Sequence, residues 1–182
     1  LVYARGEERP LSTTAVRLDR FLRREVLPTL RAQLLDESVE VVLSLPEDAR
    51  TLRRTPVEID RQALVRVLGN LARNAAQAMP SGGRLSMEAR ATGDRVHLRV
   101  ADTGPGIPED VRSGLFEPFV QGGRAEGSLG LGLAVSRRLI EAHGGTLRLD
   151  TPRQGEGAAF LIALPGAESP ADHQNTPVRR AG

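Results

Sequence analysis

Apolar residues recur in this chain with two different periods, and the change from one to the other outlines the elements. Leu18, Leu22, Val26, Leu30 and Leu34 are spaced for one face of a helix. Pro28 falls inside that run, so a kink or break is expected there, because proline lacks an N–H and its ring crowds the preceding turn. Residues 39–45, VEVVLSL, read as a strand, and the PEDA at 46–49 turns the chain. A second helix is predicted over 60–79, with Asp60 as its N-cap and Pro80, Ser81, Gly82 and Gly83 as its stop. Its apolar stripe is Leu64, Leu68, Leu71, Ala75 and Met79.

Beyond that helix the period shortens to two. Leu85, Met87, Ala89 and Ala91 alternate with other residues, as do Val96, Leu98 and Val100, and Gly93-Asp94 between them makes a two-residue hairpin turn. Residues 102–130 hold much glycine and proline and little periodicity, so a long loop is expected. Loops of that length inside a compact domain are functional or disordered. A third helix is predicted over 132–143, closed by Gly144-Gly145, and two strands over 146–150 and 158–164. The start, LVYARGEERP, reads as a helix end breaking into a polar loop, and the patternless tail from Pro165 onward, with three prolines, reads as disordered. The organisation expected is therefore a helix end and linker at 1–10, one domain at 11–165 and a tail at 166–182. The element order argues for an α+β two-layer sandwich, with a mixed, mainly antiparallel sheet and helices packed on one face.

Composition narrows the classes. A chain of 182 residues with 40% hydrophobic and 26% charged residues is long and apolar enough for one globular core. The absence of cysteine excludes disulfides and thiolate metal sites. No apolar run approaches a membrane span or a signal peptide, so a cytoplasmic location is expected, with room for a membrane anchor elsewhere in a longer protein. The chain begins at Leu1 rather than methionine and is read as a fragment. Its pI of 10.2 comes from basic residues that are all arginine, while net charge is only +2. With five aromatic residues and no basic run longer than two, nucleic-acid binding is not expected.

Four segments carry candidate chemistry. In LGNLARNAAQAM, Asn70, Asn74 and Gln77 share one helical face beside the core stripe. Amide oxygens are hard ligands, and a magnesium ion keeps most of its waters and takes few protein groups. A solvated face would look the same. In DTGPGIP, Asp102 at a strand end can accept a hydrogen bond from an exocyclic amine, and Gly104 and Gly106 permit close approach, although a structural turn would also use them. LFEPF, residues 115–119, places two phenylalanines in a polar loop, as an anchor to the core or as part of a site. GSLGLGLAV, residues 127–135, runs glycines into a helix start, where free N–H groups and the helix dipole suit a phosphate. It is not a Walker loop, because the chain has no lysine.

In this order and spacing, the four segments resemble the asparagine, first glycine, phenylalanine and second glycine boxes of the histidine-kinase catalytic domain, in the GHKL ATPase superfamily. The resemblance covers about 60–164; upstream, LVYAR is similar to the end of a second dimerisation helix and 18–45 to the linker strand and first helix. It implies an ATP and Mg²⁺ site. Asn74 and Asn70 match the catalytic amides, with Asn74 on the metal and Asn70 near it and the phosphates. Asp102 matches the aspartate that pairs with the adenine amino group, with Gly104, Gly106 and Ile107 beside the base. Gln77 and Phe119 belong to the same pocket, and Gly130, Leu131, Gly132 and Leu133 close over the phosphates. Residues 119–129 match the ATP lid, whose one cation, Arg124, is either a phosphate contact or a solvated arginine.

The chain departs from the family pattern in places. Gln77-Ala78 stands where many members have Lys-Tyr, and NAAQAM is similar to the nitrogen-regulation type. A basic phosphate contact is then missing unless Arg73 or Arg124 supplies it. Leu129 replaces a small hydroxyl residue, with Ser128 displaced by one, and the lid is short. Hydrolysing members carry a glutamate where this chain has Asn70, and a neutral amide cannot take a proton. Slow hydrolysis and an external nucleophile are therefore expected. None of His97, His143 and His173 has an acceptor's setting; His143 ends a helix, where a positive ring would suit the dipole. The resemblance thus implies transfer to a histidine on a dimerisation domain outside this chain, with a response regulator downstream, a monomeric fragment and a homodimeric whole. The rivals are an anti-sigma serine kinase and a non-catalytic nucleotide-binding module; a gyrase- or mismatch-repair-type ATPase is disfavoured by Asn70 and the chain's small size.

Overall fold

The computed structural model describes residues 10–46, 50–119 and 130–167. The chain opens with β1 (Thr14–Val16), α1 (Leu18–Phe21), a π-helical turn (Leu22–Val26) and α2 (Leu27–Gln33). β2 (Val39–Ser44), α3 (Arg50–Arg54), β3 (Val57–Ile59) and α4 (Arg61–Ala78) follow. The rest is β4 (Gly83–Thr92), β5 (Arg95–Asp102), α5 (Glu109–Arg112), α6 (Gly132–Ala142), β6 (Thr146–Asp150) and β7 (Ala159–Pro165).

Five strands form one sheet in the order β2-β4-β5-β7-β6, with β2 parallel to β4 and the other pairs antiparallel. The expected mixed sheet with helices on one face is the architecture found. Alternation explains it: Leu85, Met87, Val96, Leu98, Phe160 and Ile162 are buried on the helix side, while Arg90, Arg95 and Arg148 stand exposed on the other. α4 supplies the facing stripe, with Leu64, Leu68, Leu71, Ala75 and Met79 all buried. Each fully buried aliphatic side chain contributes about 1.5–3 kcal/mol, so this stripe fixes the helix against the sheet.

The start of α4 is tied to the end of α6. The Asp60 carboxylate accepts the Ala63 N–H at 3.1 Å, a cap contributing about 1 kcal/mol. The Asp60 N–H donates to His143 Nε2 at 2.9 Å, and His143 Nδ1 lies 2.6 Å from the Leu139 carbonyl. A ring that accepts at Nε2 and donates at Nδ1 is neutral. His143 is therefore a buried structural bridge between the two helices.

Pro28 does not break its helix. The Leu27 N–H reaches back to the Leu22 carbonyl, and this wide turn sets Pro28 in the first turn of α2, where a missing N–H costs nothing. Four elements of three to five residues, β1, α3, β3 and α5, are too short to show a period and have no counterpart among the expected elements. β1 and β3 pair with each other, and Ala167 N donates to Pro56 O at 2.7 Å, extending the ordered chain past Pro165. Residues 1–9 and 168–182, with the expected helix end and most of the tail, lie outside the described residues, as do 47–49 of the PEDA turn. Among the described residues no helix is long and apolar enough to cross a membrane.

Candidate functional site

Asp102 closes β5 and is 6% exposed. Its Oδ1 accepts two backbone N–H groups, from Gly104 at 2.9 Å and Ala158 at 3.0 Å. Its own backbone pairs with the same loop, through Asp102 N to Ala158 O at 2.9 Å and Gly157 N to Asp102 O at 2.8 Å. No described residue donates to Oδ2, so one carboxylate oxygen is locked and the other is left as an acceptor. Burial raises the Asp102 pKa above the usual carboxylate value, the two backbone hydrogen bonds oppose this, and the charge of Glu156 adds to it. A ligand N–H would relieve the cost of keeping this carboxylate ionised.

The turn after Asp102 has little spare room. A Cβ on Gly104 would lie 3.1 Å from Asp102 Oδ1 and 3.2 Å from Met79 Cγ. Gly106 takes a φ of +83°, which favours glycine. Ile107 is half-buried against the core, and its carbonyl accepts from Arg112 Nε at 3.0 Å. The same helix that supplies Met79 presents the amides. Asn70 and Asn74 are half-buried, and Gln77 is exposed with no hydrogen bond to a described residue. Asn70 Nδ2 donates to Gly132 O at 3.3 Å and Ser136 Oγ at 3.2 Å. The carbonyl can only accept, which assigns the amide's nitrogen to that side and leaves Oδ1 outside these two bonds. Asn74 makes no hydrogen bond to a described residue. Two hard acceptor oxygens thus lie one turn apart on α4.

α6 starts beside Asn70. Gly130 has a φ of +64°, Leu131 is the N-cap residue with no side-chain cap, and Leu133 packs partly against the core. A Cβ at Gly132 would meet only Asn70, at an ordinary 3.8 Å, so internal packing does not require glycine there. The uncapped first turn leaves N–H groups suited to an anion. Phe119 N donates to Gly130 O at 3.1 Å, so the two described residues flanking positions 120–129 lie together. Arg124, Ser128 and Leu129 belong to that segment and lie outside the described residues.

The two phenylalanines of LFEPF divide between roles. Phe116 meets Phe160 edge-on at 6.4 Å, with the Arg137 guanidinium 5.4 Å from its ring centre, and Leu115 is buried; these anchor the loop. Phe119 is 56% exposed with a φ of +69°, a rare conformation for a bulky residue. The sequence reading missed Gly157, Ala158 and Ser136. The GEG preceding β7 could have pointed to a close approach; Ser136, fully buried on α6, carries no such signal. A hollow of about 290 Å³ lies on the other face of the sheet, lined by His97, Arg99, Arg153 and Leu161 among others, and contains none of the expected site residues.

Residues 59–168 match the family model described as histidine kinase-, DNA gyrase B-, and HSP90-like ATPase. The sensor histidine kinase AruS of Pseudomonas aeruginosa is 37% identical over 184 aligned positions, covering 94% of this chain and 18% of AruS. The chain therefore spans under a fifth of that relative. Among solved structures, the catalytic domain of the histidine kinase ThkA superposes with a TM-score of 0.70 at 26% identity, covering 84% of this chain and 95% of that one. Full-length ShkA in complex with AMPPNP gives 0.70 at 31% identity, covering 87% and 32%.

Proposed function

The chain belongs to the histidine kinase-, DNA gyrase B- and HSP90-like ATPase family, and from that membership we propose that it is the catalytic domain of a sensor histidine kinase. In this reading it binds Mg-ATP and passes the γ-phosphoryl group to a histidine on a dimerisation domain outside the chain. The observation that carries it is Asp102, with one oxygen fixed by Gly104 and Ala158 and the other left to accept an amino group at a wall of glycines. Gly104, Gly106 and Ile107 would flank the base. The likeness to ShkA, solved with AMPPNP, supports a nucleotide here.

The residues present fit the phosphate end as well. Asn74 and the Asn70 oxygen would hold a magnesium ion, which takes few protein ligands. Gly130, Leu131, Gly132 and Leu133 would offer the helix start to the phosphates, with Gln77, Phe119 and Arg124 at the margins. ATP supplies the transferable phosphoryl group. Asn70 steers the chemistry away from water, since its protons are committed to Gly132 and Ser136 and a neutral amide takes none from a water molecule. The nucleophile must then come from elsewhere. His143 is buried between helices, and His97 is half-buried in β5 with its Nδ1 enclosed and unpaired. Burial, followed by Arg90, Arg95 and Arg148, lowers the His97 pKa. His173 lies outside the described residues. A homodimeric, cytoplasmic-facing kinase with a response regulator downstream completes the proposal.

The test mixes the chain with a separately prepared dimerisation domain and γ-labelled ATP. Acid-labile label should appear on that domain's histidine. Label on the chain itself refutes the proposal, acid-stable label favours a serine kinase, and nucleotide binding with no transfer favours a non-catalytic module.

A further inference from the structure

Arg99 and Asp102 are three residues apart on β5, on opposite faces of the sheet. Arg99 is buried, and its guanidinium holds the β6–β7 connection from behind. It donates to both Glu156 oxygens at 2.7 and 2.6 Å, to Asp150 at 2.8 Å and to the Thr151 carbonyl at 3.2 Å. The connection also closes on itself, with Arg153 N donating to Glu156 Oε2 at 2.6 Å. The next two residues are those that reach Asp102: Gly157 donates to its carbonyl and Ala158 to its carboxylate. Three consecutive residues thus run from the Arg99 clamp to the base-recognising carboxylate. Gly157 lies too close to the site for any side chain, because a Cβ there would lie 2.7 Å from Asp102 Oδ1.

We propose that Arg99 is a positioning residue for nucleotide-base recognition, setting through Glu156 the loop that fixes which Asp102 oxygen is presented to the base. This rests on the reading of Asp102 as the adenine contact. The geometry explains the choice of residue: a planar fork can engage a carboxylate bidentately and still reach a second acid and a carbonyl, which lysine cannot. The electrostatics agree. The hydrogen bond to Glu156 holds Arg99 protonated and Glu156 ionised. Glu156 is the charge that bears on Asp102, while Met79, Leu85, Gly104 and Ala158 around it carry none. Without Arg99, the Glu156 carboxylate loses its main counter-charge, keeps only the weaker pull of Arg153, and disfavours ionised Asp102 more strongly.

The experiment measures binding of ATP and of inosine triphosphate, in which a keto oxygen replaces the amino group, to the 182-residue chain, its folding verified by thermal melts. Asp102→Ala should cut the ATP-over-ITP preference by about tenfold or more. If it does not, the adenine reading itself falls. Given that loss, Arg99→Gln and Glu156→Ala should each cut the preference by roughly three- to tenfold, with Arg99→Lys between Arg99→Gln and the parent. The acid limb of ATP binding should move to higher pH in Arg99→Gln and to lower pH in Glu156→Ala, a split that loss of stability does not produce. An unchanged preference in both variants overturns the proposal, and so does a lowered melting point with an unmoved acid limb. Should Arg99→Gln not fold, Glu156→Ala decides alone by the same two readouts.

Discussion

Replacing Gly157 by alanine adds one carbon where there is no room for it. That carbon would sit 2.6 Å from the Gly104 carbonyl carbon, closer still to its oxygen, and 2.7 Å from Asp102 Oδ1. Two of these neighbours are backbone, so no side-chain rotation relieves the clash. The two loops must separate by about 1 Å, a shift that a hydrogen bond does not survive in good geometry. Gly157 N to Asp102 O at 2.8 Å and Ala158 N to Asp102 Oδ1 at 3.0 Å are the bonds exposed to it. The neutral one contributes about 1 kcal/mol and the one to the carboxylate about 1.5–3 kcal/mol, so the loss should total roughly 2–4 kcal/mol. For a domain of this size that lowers Tm by roughly 5–15 °C. Asp102 also loses its fixed orientation, and ATP affinity should fall by about tenfold or more, since 1.4 kcal/mol is a factor of ten. Gly155 provides the control two residues away. It has a φ of +82°, and nothing lies within 4 Å of the place an added Cβ would take. Gly155→Ala should therefore cost only the left-handed backbone penalty of about 1–2 kcal/mol and leave ATP binding unchanged. Calorimetric titration and thermal melts on both variants are the assay. A Gly157→Ala protein that binds ATP like the parent, or a Gly155→Ala protein that binds it worse, would refute the reasoning.

Asp102→Asn should separate fold from function. Its oxygen can still accept from Gly104 and Ala158, and the costly buried charge is gone, so Tm at neutral pH should hold or rise while ATP binding, by titration, weakens by about tenfold or more. The pH dependence has two opposing parts. Because burial raises the Asp102 pKa, its stability contribution is full below the ordinary carboxylate value and is lost as pH rises through the raised one. The Arg99 hydrogen bond lowers Glu156; at Asp150 burial pushes upward, but the hydrogen bonds from Arg99 and the Thr151 backbone, with the charges of Arg99 and Arg148, together outweigh it, so the contribution of both acids is present above the ordinary value and lost on acidification. Urea unfolding at a series of acidic pH values should therefore show Glu156→Gln losing less stability on acidification than the parent. His143→Ala leaves the Asp60 N–H without its partner and opens a gap between α4 and α6, and should cost about 2 kcal/mol in urea unfolding. Asn70→Ala frees the start of α6 from α4, and should weaken ATP binding most in the presence of Mg²⁺, read by titration with and without the metal.

The main elements were legible because each is long enough to show its period. The Leu64–Met79 stripe, the alternation of β4 and β5 and the Gly144-Gly145 stop each report which face is buried, and burial dominates the energetics. Of the candidate site, Asp102, Gly104 and Gly106 lie together at the end of β5, and Asn70 lies against Gly132. These are near neighbours in sequence or sit at the ends of elements that must adjoin. For Gly157, the GEG could hint at a close approach, but nothing in it says that the approach is to a turn more than fifty residues away. The widened turn before Pro28 was likewise hidden, because the same proline could have broken the helix; the packing of Leu22, Val26 and Leu30 in the core holds it helical.

Sequence by itself determined the α+β class, the two long helices, the hairpin and the polar face of α4, because period and capping are local properties. Only the tertiary structure decided how those parts become a site. It brings the loop before β7 onto Asp102, locks one of its oxygens, spends the Asn70 protons on α6, and places Arg99 behind the sheet to hold the loop in place. Each of those depends on contacts between residues remote in the chain, and their distances are fixed by the packed core rather than by any neighbour in sequence.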